Sequence, residues 1–142
     1  MAKVENEKHF VGQIAQKAFI ENEQGQVLLV QYPDDDPAGG VWDLPGGRLN
    51  EGEEPANGLT REVFEETGAE VSIQEIIATS TRVVSPTFQL FIVIYRATLS
   101  DPAAVLMPEE GEIAALKWHD KKDLALLPLI DANYLTMLSK HL

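Results

Sequence analysis

Apolar positions are unevenly spaced along the chain, and their spacing divides it into strand-like and helix-like stretches. Residues 10–20 alternate loosely between apolar and polar, then run into the polar stretch Glu21-Asn22-Glu23-Gln24-Gly25-Gln26. A short Val- and Leu-rich run follows over 27–32. Two such runs across a polar gap predict an antiparallel pair with a longish turn. Residues 33–40, with three aspartates, two glycines and two prolines, read as a loop. Residues 41–44 read as the end of a strand, stopped by Pro45-Gly46-Gly47.

Pro55–Thr67 has the marks of a helix. Pro55 suits a first-turn position, Glu51, Glu53 and Glu54 suit the positive end of the dipole, and Gly68 suits a C-terminal cap. Ala56, Leu59, Val63 and Thr67 define its core-facing arc. Residues 71–79 and 88–99 read as strands, the second (Phe-Gln-Leu-Phe-Ile-Val-Ile-Tyr) covered on both faces. Residues 113–119 predict another strand. Residues 131–142 predict a closing helix, with Asp131 as N-cap and Leu135, Leu138 and Leu142 on one stripe. Strands on either side of a central helix, then a terminal helix, predict an α/β fold: a mixed sheet sandwiched by helices.

At 142 residues the chain has the size of one domain, expected to span 1–142. A hydrophobic content of 44% and a charged content of 24% are those of a globular chain able to build a core without staples. The absence of cysteine excludes a disulfide framework, a thiolate metal site and a cysteine nucleophile. No apolar run approaches the roughly 20 residues of a membrane span. Residues 1–8 are polar and lack the apolar stretch of a secretion signal, so a cytoplasmic protein is expected.

Charge narrows the partners. Eleven Lys and Arg against 23 Asp and Glu give a net charge of -12. Such a surface repels nucleic-acid polymers and anionic membranes, both bound largely through Lys and Arg. A small anionic substrate would need a metal cation as intermediary.

The carboxylates are most concentrated on the predicted helix. Glu62, Glu65 and Glu66 fall at i, i+3 and i+4, within an arc of about 100°. Like charges at that spacing destabilise a bare helix by a few tenths of a kcal/mol per pair. Clustered carboxylate oxygens beside an apolar face are what Mg²⁺ or Mn²⁺ requires. On spacing alone, a solvated acidic face accounts for them equally well.

The surrounding segment decides between the two readings. Gly47, Glu53 and the run Arg61-Glu62-Val63-Phe64-Glu65-Glu66-Thr67-Gly68-Ala69 resemble the Nudix box, signature of the Nudix hydrolase superfamily, at every fixed position. Ala69 departs from the larger aliphatic usual at the end of the box. Trp42-Asp43-Leu44-Pro45-Gly46-Gly47 resembles the lead-in common in that family.

The resemblance implies a Nudix-type α/β/α sandwich with a mixed sheet, and hydrolysis of a nucleoside diphosphate linked to another group. It implies Glu62, Glu65 and Glu66 as ligands of Mg²⁺ or Mn²⁺, with the Gly46–Gly47 turn bringing a backbone carbonyl to the cation. Glu53 corresponds to a position reaching the metal cluster, often through water. Arg61 corresponds to an arginine that fixes the box carboxylates. A further carboxylate is expected from the loop 107–113, Glu112 being the best positional match, ahead of Glu110 and Glu109. Glu62, Glu65 or Glu112 would serve as the base. Gly58 stands where many relatives carry alanine, at a cost of about 1 kcal/mol in helix propensity.

The expected partner is a small nucleotide, with a homodimer left open. Missing cysteine argues against isopentenyl diphosphate isomerases, and the charge argues against decapping enzymes. The markers of NADH, coenzyme A and dinucleoside polyphosphate hydrolases are absent. A (d)NTP pyrophosphatase is the leading expectation. An ADP-ribose or nucleotide-sugar pyrophosphatase, suggested by Pro86, comes second, and a nucleotide-sensing domain without catalysis is remote. Trp42, Phe19, Tyr32, Arg82 and the three histidines read as packing or surface residues.

Overall fold

The computed structural model describes residues 8–142, and its central strands are buried in unbroken runs, Ala15–Ile20 and Val27–Val30 among them, because both of their faces are covered. The polar stretch read above as lacking a secretion signal lies, apart from Lys8, outside the described residues. β1 (Gln13–Ile20), β4 (Gly46–Arg48), β5 (Val71–Ser85) and β6 (Phe88–Leu99) form a mixed sheet in the order β4-β1-β6-β5, with β1 and β6 parallel. β2 (Val27–Gln31), β3 (Trp42–Asp43) and β7 (Ala115–His119) form a smaller antiparallel sheet in the order β3-β2-β7. The architecture is the expected α/β sandwich, divided into two sheets.

The first two strands do not form the ladder predicted for them. They enter different sheets and share a single antiparallel bridge, Glu21 with Val27. Pairing preference lies with partners remote in sequence: Gly46–Arg48 and β6 flank β1, while β7 flanks β2. Gly46 and Gly47, read with Pro45 as a stop, lie instead in a short strand, β4. β5 also runs on to Ser85, six residues past its predicted end, because β6 offers a partner along that whole length.

Helix α1 (Pro55–Thr67) matches its predicted bounds. Pro55 stands at its start, and Gly68, at φ 73°, donates its N–H to the Phe64 carbonyl at 2.8 Å, the left-handed cap that glycine adopts without strain. Leu59, Val63 and Thr67 are fully buried, whereas Ala56, placed with them by periodicity, is exposed. Glu66 takes a place on the buried side instead.

α1 covers one face of the mixed sheet through Leu59, Val63, Ala18, Ile20 and Ala97. The other face packs Phe19, Ile92 and Ile94 against Leu124, Tyr134 and Leu138 from the C-terminal segment. Ile92, Val93 and Ile94 are all buried, so β6 is covered on both faces at its centre, as its unbroken apolar run predicts.

The closing helix is shorter than expected. Only Asn133–Met137 is α-helical (α2), with 3₁₀ turns at Lys121–Leu126 and Ser139–His141. The N-cap of α2 is Ala132, not the expected Asp131, which stands one residue earlier and accepts the Asn133 N–H through Oδ1 at 2.9 Å. The segment follows the sheet surface and bends to keep Tyr134 and Leu138 buried. Among the described residues no helix is long and apolar enough to cross a membrane.

Leu59 carries much of the α1 contact. Leu59→Ala is expected to destabilise the protein by about 2–5 kcal/mol, read as a lowered urea midpoint.

Candidate functional site

The turn between β3 and β4 and one side of α1 meet through two glycines. Gly46 lies at φ 145°, a conformation open to glycine, and a Cβ there would run into the Gln16 carbonyl. Its N–H donates to Glu66 Oε1 at 2.7 Å. Gly47 leaves room for Glu62: a Cβ on Gly47 would stand 2.5 Å from Glu62 Cδ. The sheet thus presents a bare backbone where the helix presents carboxylates.

Arg61 collects the others. Its Nε and Nη2 donate to the two oxygens of Glu53 at 2.8 and 3.0 Å, and Nη1 donates to Glu65 at 3.1 Å. Nη2 also lies 3.2 Å from Glu62 Oε1. The guanidinium holds the Glu53 carboxyl below its usual range, aided by the Asn50 N–H. Gly58 belongs to the same arrangement, since a Cβ there would approach Glu53 Oε1 to 2.9 Å and Leu49 Cδ1 to 3.2 Å. Its helix-weakening glycine leaves space for a carboxylate already fixed by Arg61.

Glu66 is the buried member, 8% exposed. Burial pushes its carboxyl up to about 7 against the pull of Lys17 and the Gly46 amide, with Asp43 and Glu62 adding to the rise. Glu65 is exposed and Glu62 half-buried. The expected trio therefore spans a gradient from core to solvent, which spacing alone did not reveal.

The loop 107–113 docks on the end of the helix. The Met107 N–H donates to the Thr67 carbonyl at 2.8 Å and the Glu109 N–H to that of Glu66 at 3.2 Å. Glu109 is half-buried, and its carboxyl is raised by that burial and by the charges of Glu65, Glu112 and Glu62. Glu110 and Glu112 are exposed, and the Glu112 N–H turns back to the Glu109 carbonyl. Of the three loop carboxylates, Glu109 is the one whose backbone is tied to Glu66.

Residues read as packing do pack. Phe19 is fully buried, Trp42 stands edge-on to the buried His119 with centroids 4.7 Å apart, and His141 meets Arg96 at 2.8 Å. Arg82 pairs with Asp131 at 3.0 Å and reaches Tyr134 at 3.4 Å. Tyr32 and Tyr134 both donate to Asp43, and Lys17 pairs with Asp43 at 2.8 Å. Gln16, Lys17 and Asp43 were missed by sequence reasoning. Their signal was there: two long polar side chains inside an apolar strand, and an aspartate between Trp42 and Leu44.

The donors fit a divalent cation in kind. They are carboxylate oxygens, which hard cations prefer. Gln16 pairs across the ladder with Gly47, so both point to the face where Glu62 lies. Gln16 Oε1 is buried there with no hydrogen-bond partner among the described residues. In the arrangement described, Arg61 holds three of the carboxylates, and among the described residues no three Asp, Glu or His side chains converge on one point.

A two-sheet sandwich whose Gly-Gly turn faces a glutamate-lined helix defines the class. The NUDIX domain family model matches residues 13–139, and the chain belongs to the Nudix family. It is 34% identical over 121 residues to Nudix hydrolase 8 of Arabidopsis thaliana, covering 83% of this chain and 32% of that protein. It is 30% identical over 116 residues to the CTP pyrophosphohydrolase of Escherichia coli (strain K12), covering 82% of each. The MutT protein of Methanosarcina mazei Go1 shares the fold, with a TM-score of 0.78, 23% identity and 91% of each chain covered.

Gly47→Ala is expected to push Glu62 aside and lower Mg²⁺ affinity about 10–100-fold. Calorimetric titration of the two proteins checks it, with circular dichroism verifying that the variant folds.

Proposed function

We propose that this chain is a divalent-metal-dependent hydrolase of nucleoside or deoxynucleoside triphosphates, releasing pyrophosphate. The observation that carries the reading is the pairing of Glu66 with the Gly46 amide and of Glu62 with the bare Gly47, with Arg61 fixing Glu53 and Glu65 beside them. A triphosphate is too negative to approach this cluster unaided. Bound Mg²⁺ or Mn²⁺ supplies that neutralisation and makes a bound water more acidic.

The chain's own residues supply position. Glu62, Glu65 and Glu66 are the metal ligands in this reading, together with the Gly46 backbone. Arg61 limits the rotamers of Glu62 and Glu65, and the Gly46 amide that of Glu66, so that few arrangements must be lost when substrate binds. Water attacks phosphorus, the bridging P–O bond breaks, and the electron pair leaves with pyrophosphate. Glu65 is the base we assign: it is exposed and held by Arg61, whereas Glu66 is buried and occupied by the Gly46 amide. Glu109 joins Glu112 as a candidate for the loop carboxylate.

Support for the triphosphate class comes from the E. coli relative named for CTP, which matches over most of both chains. The second reading, ADP-ribose or a nucleotide sugar, rests on Pro86. That proline is exposed in the two-residue turn between β5 and β6.

A phosphate-release screen over NTPs, dNTPs, ADP-ribose, nucleotide sugars and dinucleoside polyphosphates with Mg²⁺ or Mn²⁺ tests this. A triphosphate is expected to give the highest kcat/KM, with pyrophosphate as product. A preference for ADP-ribose, lost on altering Ser85 and Pro86, would overturn the choice of substrate. Glu65→Gln is expected to lower kcat by at least about 10²-fold with the fold intact; an active variant would end the assignment of Glu65 as base.

A further inference from the structure

Lys17 lies in the middle of β1 and is 7% exposed. A buried ammonium is tolerated when a matched anion lies beside it, and here Asp43, 2% exposed, meets Nζ at 2.8 Å. Asp43 takes two further donors, the Tyr32 hydroxyl at 2.5 Å on the same oxygen and the Tyr134 hydroxyl at 2.7 Å on the other. Four segments converge on this one carboxylate: β1 of the mixed sheet, β3 of the smaller sheet, the residue after β2, and α2. The ion pair fastens the two sheets together where the chain leaves one for the other.

That crossing is the turn of the glutamate site. Only Leu44 and Pro45 separate Asp43 from Gly46. Lys17 is the ladder partner of Gly46, and the Pro45 carbonyl accepts the Ala18 N–H at 2.8 Å. Lys17 therefore grips the turn twice, through its side chain at Asp43 and through the backbone at Gly46. The Gly46 amide in turn fixes Glu66. Burial alone would draw the ammonium's pKa down; the Asp43 charge, then Tyr134 and Glu66, more than reverse it, so Lys17 stays protonated.

We propose that Lys17 is a positioning residue of the hydrolytic site, acting through Asp43 and the Gly46 turn on Glu66. The inference rests on the reading that Glu66 serves that site. Stability alone does not call for a buried ion pair here, since apolar side chains of the same volume are often as stabilising. An apolar pair would lack the directed hydrogen bonds that here join β1, β3, Tyr32 and Tyr134 at one carboxylate.

The test compares Lys17→Met, the double variant Lys17→Met with Asp43→Asn, and Glu66→Gln, by thermal melting and by kcat and KM for a nucleoside triphosphate with Mg²⁺. Lys17→Met leaves Asp43 charged and unpaired, so its melting temperature falls. The double variant removes that lone charge and recovers most of the melting temperature. Its kcat is expected to stay about 10–100-fold low, with KM within about twofold of the parent.

Recovery of kcat along with stability would show that the pair only holds the fold, and would overturn the proposal. So would a double variant that does not refold, or a loss confined to KM, which would place Lys17 against substrate. Glu66→Gln separates the two levels of inference. Full activity there removes the site reading itself; loss of activity there, with a fully active double variant, removes only the role of Lys17.

Discussion

Glu53, Glu62 and Glu65 repel one another, and the Arg61 guanidinium that meets all three is the interaction on which the arrangement of the site depends. Its planar fork can engage Glu53 through two parallel hydrogen bonds and still reach two further carboxylates. A lysine, with a single charged nitrogen, could not hold all three in one geometry. Collected in this way, the carboxylates stand ready on one side of α1, and the helix can carry three glutamates in adjacent turns without losing its fold.

The glycines follow from that concentration of charge. Carboxylates pressed against the backbone leave no room for side chains beside them, so Gly47 on the sheet lies under Glu62 and Gly58 on α1 lies against Glu53. Gly46 does something different: its unusual backbone aims an N–H at Glu66, the one glutamate removed from water. Beneath this surface lies a second, buried charge system. Lys17 and Asp43 tie the sheets together three residues before Gly46, and Tyr134 draws the C-terminal segment into the same cluster. The site's geometry is thus linked through hydrogen bonds to both sheets and to the chain's last helix.

Local patterns were read well where the determinants are local. The bounds of α1 follow from Pro55 and Gly68, and the covered centre of β6 follows from an unbroken apolar run. The pairing of β1 with β2 was misread because turn composition says that two strands are close in sequence, not which edge each prefers. The closing helix was overextended because Leu135, Leu138 and Leu142 keep a helical spacing, while the surface beneath them asks for a bend after Met137.

The sequence by itself determined the glutamate-bearing helix, the Gly-Gly turn before it, and the family to which their spacing belongs. Those features lie within one short stretch of chain, where covalent spacing already sets geometry. Tertiary structure decided which glutamate is buried, which loop carboxylate docks on the helix end, and that Lys17 meets Asp43. These are outcomes of bringing β1, β3, α2 and the loop 107–113 together. Burial and charge pairing act between groups distant along the chain, so they emerge only when the sheets are packed.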